Sequence, residues 1–243
     1  MPVYNCENYV YQAIESILNQ TEGNFELLVI DDASTDGTVQ VINTITDDRL
    51  QLITKPKNTG YTHSLNMGLE LAKGKYIARM DGDDISLPTR FEKQLTAFNQ
   101  NPNLVVCGTW YETFGSASTE VVRHPTQAHK ISVSLLNEAS VAHPSVLIAK
   151  HRLPNGVLKY NTAMEPAEDF DLWTRLVAHG DVINLPEVLL LYRVHTVQTS
   201  QARKGQQLQK SFEIREHYFQ RVFLNGNFTP FERNILLLGQ VET

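Results

Sequence analysis

Arg79-Met80-Asp81-Gly82-Asp83-Asp84 sets three carboxylates in four residues directly behind the apolar run Tyr76-Ile77-Ala78. Adjacent negative charges repel, and at the end of a buried strand they persist only where water, a cation or a cationic partner compensates them. Side chains alternate along a strand, so Asp81 and Asp83 point the same way and can serve one hard divalent ion jointly. The same residues also suit a solvated turn, and the cluster alone does not decide. An EF-hand is excluded by spacing. Counting from Asp81, Ile85 and Ser86 stand at the fifth and sixth places, where a calcium loop needs an oxygen ligand and a glycine.

Three further groups have chemical potential. Asp32 precedes the turn residues Ser34, Asp36 and Gly37, as an Asx-turn or cap residue does, and equally as an acceptor for a ligand donor does. Glu168, Asp169 and Asp171 open a helical pattern, where acids are stabilised by the macrodipole whether or not they do chemistry. His195 ends an apolar run, a place for a structural hydrogen bond or for a ligand.

The elements that must position these groups alternate. A helical stripe through Val10, Ala13, Ile14, Ile17 and Leu18 predicts a helix over residues 7–20, followed by a buried strand over 26–30. A helix through Val39, Ile42 and Ile45, a strand over 50–54, a helix through Tyr61, Leu65, Leu69 and Ala72, and a strand over 75–80 follow. Gly74 suits the C-cap and Pro88 the first turn of a helix with Phe91, Leu95 and Phe98 inside, ahead of an apolar run over 104–107. Strands alternating with helices predict a mostly parallel sheet flanked by helices, which binds ligands at the carboxyl ends of its strands. Tyr4-Asn5, Asp31-Asp32 and residues 81–84 all fall at such ends, so one site is expected. The second half reads as a helix near Ile131 and Leu135, a strand over 146–149, and a helix from Glu168 with Trp173, Leu176 and Val177 inside. Extended runs over 182–185 and 188–194 come next. Two C-terminal helices are then expected, one through Leu208, Phe212, Phe219 and Val222, the other through Phe231, Ile235 and Leu238.

With 243 residues, 42% hydrophobic and 20% charged, the chain can bury a large α/β core. A net charge of −6 argues against a nucleic-acid surface, which needs concentrated Lys and Arg. Cys6 and Cys107 form no zinc spacing and no disulfide framework, which favours a reducing, cytoplasmic setting. No apolar run reaches membrane-spanning length, so any membrane association is expected to be peripheral, at the inner face.

Taken together, Pro2-Val3-Tyr4-Asn5, Ile30-Asp31-Asp32-Ala33-Ser34-Thr35-Asp36-Gly37-Thr38, Asn58-Thr59-Gly60 with Asn66-Met67-Gly68, and Asp81-Gly82-Asp83-Asp84 resemble the family 2 inverting glycosyltransferases with the GT-A fold. Glu168-Asp169-Phe170-Asp171-Leu172-Trp173 and Tyr192-Arg193-Val194-His195 match that family's later motifs. The resemblance implies transfer of a sugar, with inversion, from a nucleotide diphosphate donor to a hydroxyl of a glycan, lipid-linked or other acceptor. It implies a Mn or Mg ion held by Asp83 with Asp81 and His195, Asp84 as a ligand or donor-sugar contact, and Pro2, Tyr4 and Asp32 at the base, uridine by family habit. A basic contact is implied among residues 55–58. Asp169 becomes the expected general base, with His143, Glu168 and Asp171 on the acceptor side.

A single domain over 1–243 is expected, with a nucleotide-sugar half (1–108), an acceptor and catalytic half (109–199) and a helical tail (200–243). The family's processive synthases carry Gln-x-x-Arg-Trp, which is missing here, so one transfer per encounter is expected. Family members also place a short apolar strand before the position of Met1-Pro2, so the first strand is expected to be truncated. A non-catalytic sugar-binding relative is the alternative. A receiver domain fits poorly, because Asp31-Asp32 ends the second strand of the pattern rather than the first.

Overall fold

The computed structural model describes residues 1–115, 118–195 and 203–224. Its strands are β1 (Pro2–Val3), β2 (Leu27–Asp31), β3 (Leu50–Thr54), β4 (Tyr76–Ala78), β5 (Ile85–Ser86), β6 (Leu104–Phe114), β7 (Val121–Val122), β8 (Leu147–Ala149) and β9 (Asp181–Arg193). Its α-helices are α1 (Val10–Leu18), α2 (Thr38–Ile42), α3 (Tyr61–Leu71), α4 (Arg90–Gln100), α5 (Ala128–Ser134), α6 (Glu168–Leu176) and α7 (Lys204–Phe219).

The α/β class is as expected, and the strands divide between two sheets. The first has the order β1-β2-β3 and is parallel throughout. The second has the order β4-β8-β6-β9-β5, with β7 beside β6. There only β6 and β9 pair in parallel, and the other pairs are antiparallel. Strand and helix rhythm reports how segments are connected. It does not report that β8, which arrives from a short 3-10 turn at His143–Ser145, inserts between β4 and β6.

The two extended runs expected before His195 are one strand, β9. Its register with β6 jumps from Thr109↔Leu185 to Trp110↔Val188, so Pro186 and Glu187 lie in a bulge, where a proline's missing N–H removes no ladder bond. The short β5, which no periodicity announces, turns the acidic loop against β9.

α1 buries the five residues its spacing predicts. Phe170, Leu172, Trp173 and Leu176 of α6 pack in one core with Ile214 and Tyr218 of α7. Leu208 and Phe212, expected on the inner face of the tail helix, are each 61% exposed, because Ile214, Tyr218 and Phe219 take the buried side. The second tail helix lies outside the described residues. Polar groups also tie the layers together. Gln94 Nε2 donates to Cys107 O (2.6 Å) and Ser145 O (2.8 Å), joining α4 to β6 and to the turn before β8. Replacing Gln94 with Leu leaves those carbonyls without their donor, and urea unfolding should show a loss of about 1–3 kcal/mol.

Candidate functional site

One cleft of about 680 Å³ collects Pro2, Tyr4, Asp32, Asp81, Asp83, His143, Glu168, Asp169 and His195. Interlocked loops place the strand ends around it. Asn5 N donates to Ser34 Oγ (3.0 Å), Thr35 N to Asn5 Oδ1 (2.8 Å) and Cys6 N to Thr38 Oγ1 (2.8 Å). Asn5 (φ 48°) and Ala33 (φ 60°) both hold left-handed backbone in these loops, a strain that the surrounding bonds maintain.

Acidic oxygens of Asp81, Asp83 and Asp84 lie within 4.8 Å of one another. Their environments differ. Asp81 is gripped by Arg79, whose Nη1 and Nη2 donate at 2.6 and 2.5 Å, and it accepts the Tyr61 hydroxyl at 3.1 Å. Asp83 faces the cleft, with Oδ2 2.9 Å from His195 Nε2. Burial and the neighbouring Asp81 charge raise its pKa, and His195 opposes them. Asp84 is 1% exposed, and its Oδ1 accepts the backbone N–H of Arg193 at 2.9 Å. It stands behind the cleft wall rather than in it, so a contact to a donor sugar does not fit its place. The Arg193 guanidinium holds this loop from β9 by donating to Asp83 O (2.8 Å), while His195 stacks on Tyr9 (5.2 Å). Three clustered carboxylates with an imidazole on one of them make an oxygen-rich donor set, which fits a hard or borderline divalent ion.

At the base end, Tyr4 is 48% exposed and offers a ring to the cleft. Asp32 is 4% exposed, and its carboxylate accepts from Thr59 N (3.0 Å) and Gly60 N (2.9 Å) and pairs with Lys55 Nζ (2.5 Å). Lys55 is therefore the basic residue of the 55–58 segment that reaches the site. Its first act is to balance Asp32. An ionised carboxylate has about four acceptor positions, so one stays available for a ligand donor.

Across the cleft, α6 begins at Glu168 and Asp169. Asp169 Oδ1 accepts the Phe170 N–H at 2.7 Å, and burial raises its pKa. Glu168 is 6% exposed, with Oε2 lacking a hydrogen-bond partner. Burial, then the Asp169 charge, push its pKa up to about 8. His143 Nε2 meets the Tyr160 hydroxyl at 2.8 Å, and burial keeps the imidazole neutral by lowering its pKa well below the usual value. Asp171 is turned away from this group and pairs with Arg175 Nε (2.9 Å), one helical turn on, so an acceptor-side role does not fit its position.

Sequence reasoning gave no role to Arg79, Tyr61 or Glu165. Glu165 Oε2 accepts the Thr62 hydroxyl (2.6 Å) and its Oε1 accepts Arg203 Nη1 (2.6 Å), bracing the cleft between α3 and the start of α7. Arg79 was visible as a cation beside the acids. Tyr61 and Glu165 carried no local signal, because their partners are 20 and 103 residues away.

The model of glycosyl transferase family 2 matches residues 1–148. The chain belongs to this family. It is 31% identical over 224 residues to an uncharacterised glycosyltransferase of Haemophilus influenzae, covering 87% of this chain and 69% of that protein. It is 29% identical to WfaP of Escherichia coli, a UDP-Glc:α-D-GlcNAc-diphosphoundecaprenol β-1,3-glucosyltransferase, covering 88% of this chain and 86% of WfaP. Among solved structures, Staphylococcus aureus TarS in complex with UDP-GlcNAc superposes with a TM-score of 0.74 at 16% identity, over 99% of this chain and 70% of that one. The mannosyltransferase PcManGT of Pyrobaculum calidifontis, in complex with GDP-Man and Mn2+, gives 0.67 at 20% identity, over 98% and 67%. The two solved structures share this chain's fold. Among the described residues, no helix is long and apolar enough to cross a membrane.

Glu168 yields a signed expectation for pH. Folded, it holds its proton up to about pH 8, whereas in the unfolded chain it titrates near 4.5. Between those values the folded state binds more protons, so stability falls as pH rises through the window. Unfolding of Glu168→Gln across pH 4.5–8 should lack that component of the slope.

Proposed function

We propose that this protein is a metal-dependent, inverting, non-processive glycosyltransferase of the hexosyltransferase type. It moves a sugar from a nucleotide diphosphate, most simply UDP, to an acceptor hydroxyl in glycan or cell-envelope polysaccharide synthesis. The observation that carries this reading is that Asp83 with His195, and Asp169 with Glu168, line one cleft. WfaP's activity supports a UDP-sugar donor and a lipid-linked acceptor, and the PcManGT complex supports a divalent ion.

Asp83 and His195 would hold the ion, with Asp81 held in place by Arg79. A divalent ion there would supply Lewis-acid stabilisation of the leaving diphosphate. Tyr4 and Pro2 flank the base, and Asp32 uses its remaining acceptor position for a base N–H. Asp169 removes the acceptor's hydroxyl proton while that oxygen bonds to the anomeric carbon. The sugar–diphosphate bond breaks on the opposite face, its electron pair leaving with the diphosphate. A carboxylate whose pKa has been raised is the stronger base, provided it is ionised. Glu168 meets that condition. With its pKa near 8, it carries the proton of the acidic pair and leaves Asp169 charged.

A binding relative without turnover needs no such acidic pair beside the ion residues. Kinetics separate the two. In calorimetry with Mn, UDP should bind more tightly than GDP or dTDP, and Asp83→Ala should weaken that binding about 100-fold. Asp169→Asn should preserve UDP binding and lower kcat by about 10²–10⁴-fold. Unchanged kcat in Asp169→Asn removes the base assignment, and unchanged metal-dependent binding in Asp83→Ala removes the ion assignment.

A further inference from the structure

Past the ion residues the cleft has a wall of rings that the base, ion and proton-transfer roles leave unused. Across β6 and β9, Tyr111 pairs with Leu190 and Thr113 with Tyr192. Side chains two apart share a face, so Tyr111 and Tyr192 stand on one side of the sheet, with ring centres 5.4 Å apart. On its other flank Tyr111 pairs with Val122, and His124, two residues on, brings its ring to 5.9 Å from Tyr111. Trp110 Nε1 fixes that segment by donating to His124 O (2.9 Å). All three rings line the cleft.

This wall is joined to the start of α6. Asn184 Nδ2 donates to Pro125 O (2.7 Å) and to Ser140 O (2.9 Å), which holds the segment after His124 against the one that carries Ala139, Val141 and Ala142 into the cleft. That segment runs on to His143, whose ring centre is 5.8 Å from that of Trp173 in α6. The rings are thus connected, through side chains lining one cleft, to the element that begins with Glu168 and Asp169.

Polar groups share the cleft with the rings. Gln207 and Glu168 both line it, and Glu168 Oε2 is buried without a hydrogen-bond partner. A site that combines aromatic faces with hydrogen-bonding groups suits a pyranose, whose ring C–H groups make an apolar face and whose hydroxyls make a polar edge. An alkyl chain there would desolvate the polar groups and give them nothing in return. Charge narrows the choice further. Arg79 is the one Arg or Lys among the described residues lining the cleft, and Asp81 holds it, as Asp32 holds Lys55. Burial lowers the pKa of both His124 and His143, so their rings are neutral. An acidic sugar would therefore meet carboxylates and no uncommitted cation.

We propose that Tyr111, Tyr192 and His124 form the subsite for the acceptor's sugar, a neutral pyranose whose apolar face lies on these rings while its reacting hydroxyl is directed to Asp169. The inference rests on the glycosyl-transfer reading and adds to it the chemical class of the acceptor.

The probes are the methyl pyranosides of glucose, galactose, mannose and N-acetylglucosamine, methyl glucuronide, and hexyl glucoside, each added to the full chain and followed by saturation-transfer NMR. Saturation should reach the ring C–H protons of at least one neutral pyranoside and should bypass the glucuronide. In hexyl glucoside it should fall on the ring rather than on the chain. Tyr111→Leu and His124→Leu should each weaken binding of the neutral pyranoside about tenfold, and Tyr111→Phe, which keeps the ring, should restore it. Should Tyr111→Leu lower Tm steeply, His124→Leu decides. With that pyranoside as acceptor, the two ring-loss variants should raise its KM about tenfold and leave Mn-dependent UDP affinity as it was. Absence of ring saturation from every neutral pyranoside, equal saturation of the glucuronide, or unchanged binding in the ring-loss variants overturns the proposal. So does saturation confined to the hexyl chain, which points to a lipid portion of the acceptor on this wall. Failure of the glycosyl-transfer reading looks different: the unsubstituted chain then shows no Mn-dependent UDP binding, whatever the pyranosides do.

Discussion

The buried Arg79 guanidinium is the interaction on which the cleft depends. It grips Asp81 with two hydrogen bonds and lies 5.5 Å from the Tyr61 ring centre. Its charge opposes the upward pKa shifts of Asp84, Asp169 and Glu168, and adds to the downward shift of His143. One cation at the end of β4 thus makes two clusters of acids tolerable at once, one at the acidic loop and one at the start of α6. Breaking a buried ion pair by removing one partner costs about 3–5 kcal/mol, because the remaining charge is left uncompensated. Compensation of this kind is what allows carboxylates to crowd a partly desolvated cleft.

Arg79 also divides labour among the acids. The partner it holds, Asp81, has both oxygens engaged, whereas Asp83 keeps its carboxylate towards the cleft beside His195. Asp84 is turned to the β9 backbone. Three neighbours in sequence have three environments, set by Arg79, His195 and Arg193 respectively. The same logic recurs with Glu168 and Asp169. Helix geometry brings them together at the start of α6, where burial raises both, the Phe170 N–H opposes the rise at Asp169, and the Asp169 charge adds to it at Glu168.

Much of this was legible in the sequence, and what was missed shares a physical cause. Helical stripes located α1, α3 and α4, and the rule that ligands sit at strand ends correctly joined Tyr4, Asp32 and Asp83 in one place. Periodicity reports which face of an element is buried. It carries no information on partner strands, so the split into two sheets and the insertion of β8 could not be read. Asp171 was expected on the acceptor side near Asp169, but two residues along a helix turn a side chain to the far face, where Arg175 meets it. A basic contact was expected among residues 55–58 without a choice of residue, and Lys55 is drawn to the site by pairing with Asp32.

The geometry at the base end of the cleft is set by loops more than by β1, which contributes only Pro2 and Val3 to the first sheet. Tyr4 is carried by a segment whose next residues are fastened to the loop after β2: Asn5 to Ser34 and Thr35, Cys6 to Thr38, and Glu7 to Asp36 and Gly37. Those bonds connect residues about thirty positions apart and satisfy backbone groups that no strand pairs. The loop bonds on Asn5, together with the Thr59 and Gly60 N–H groups on the Asp32 carboxylate, therefore hold Tyr4 and Asp32 in one place from two directions, one loop on each side of the strand ends.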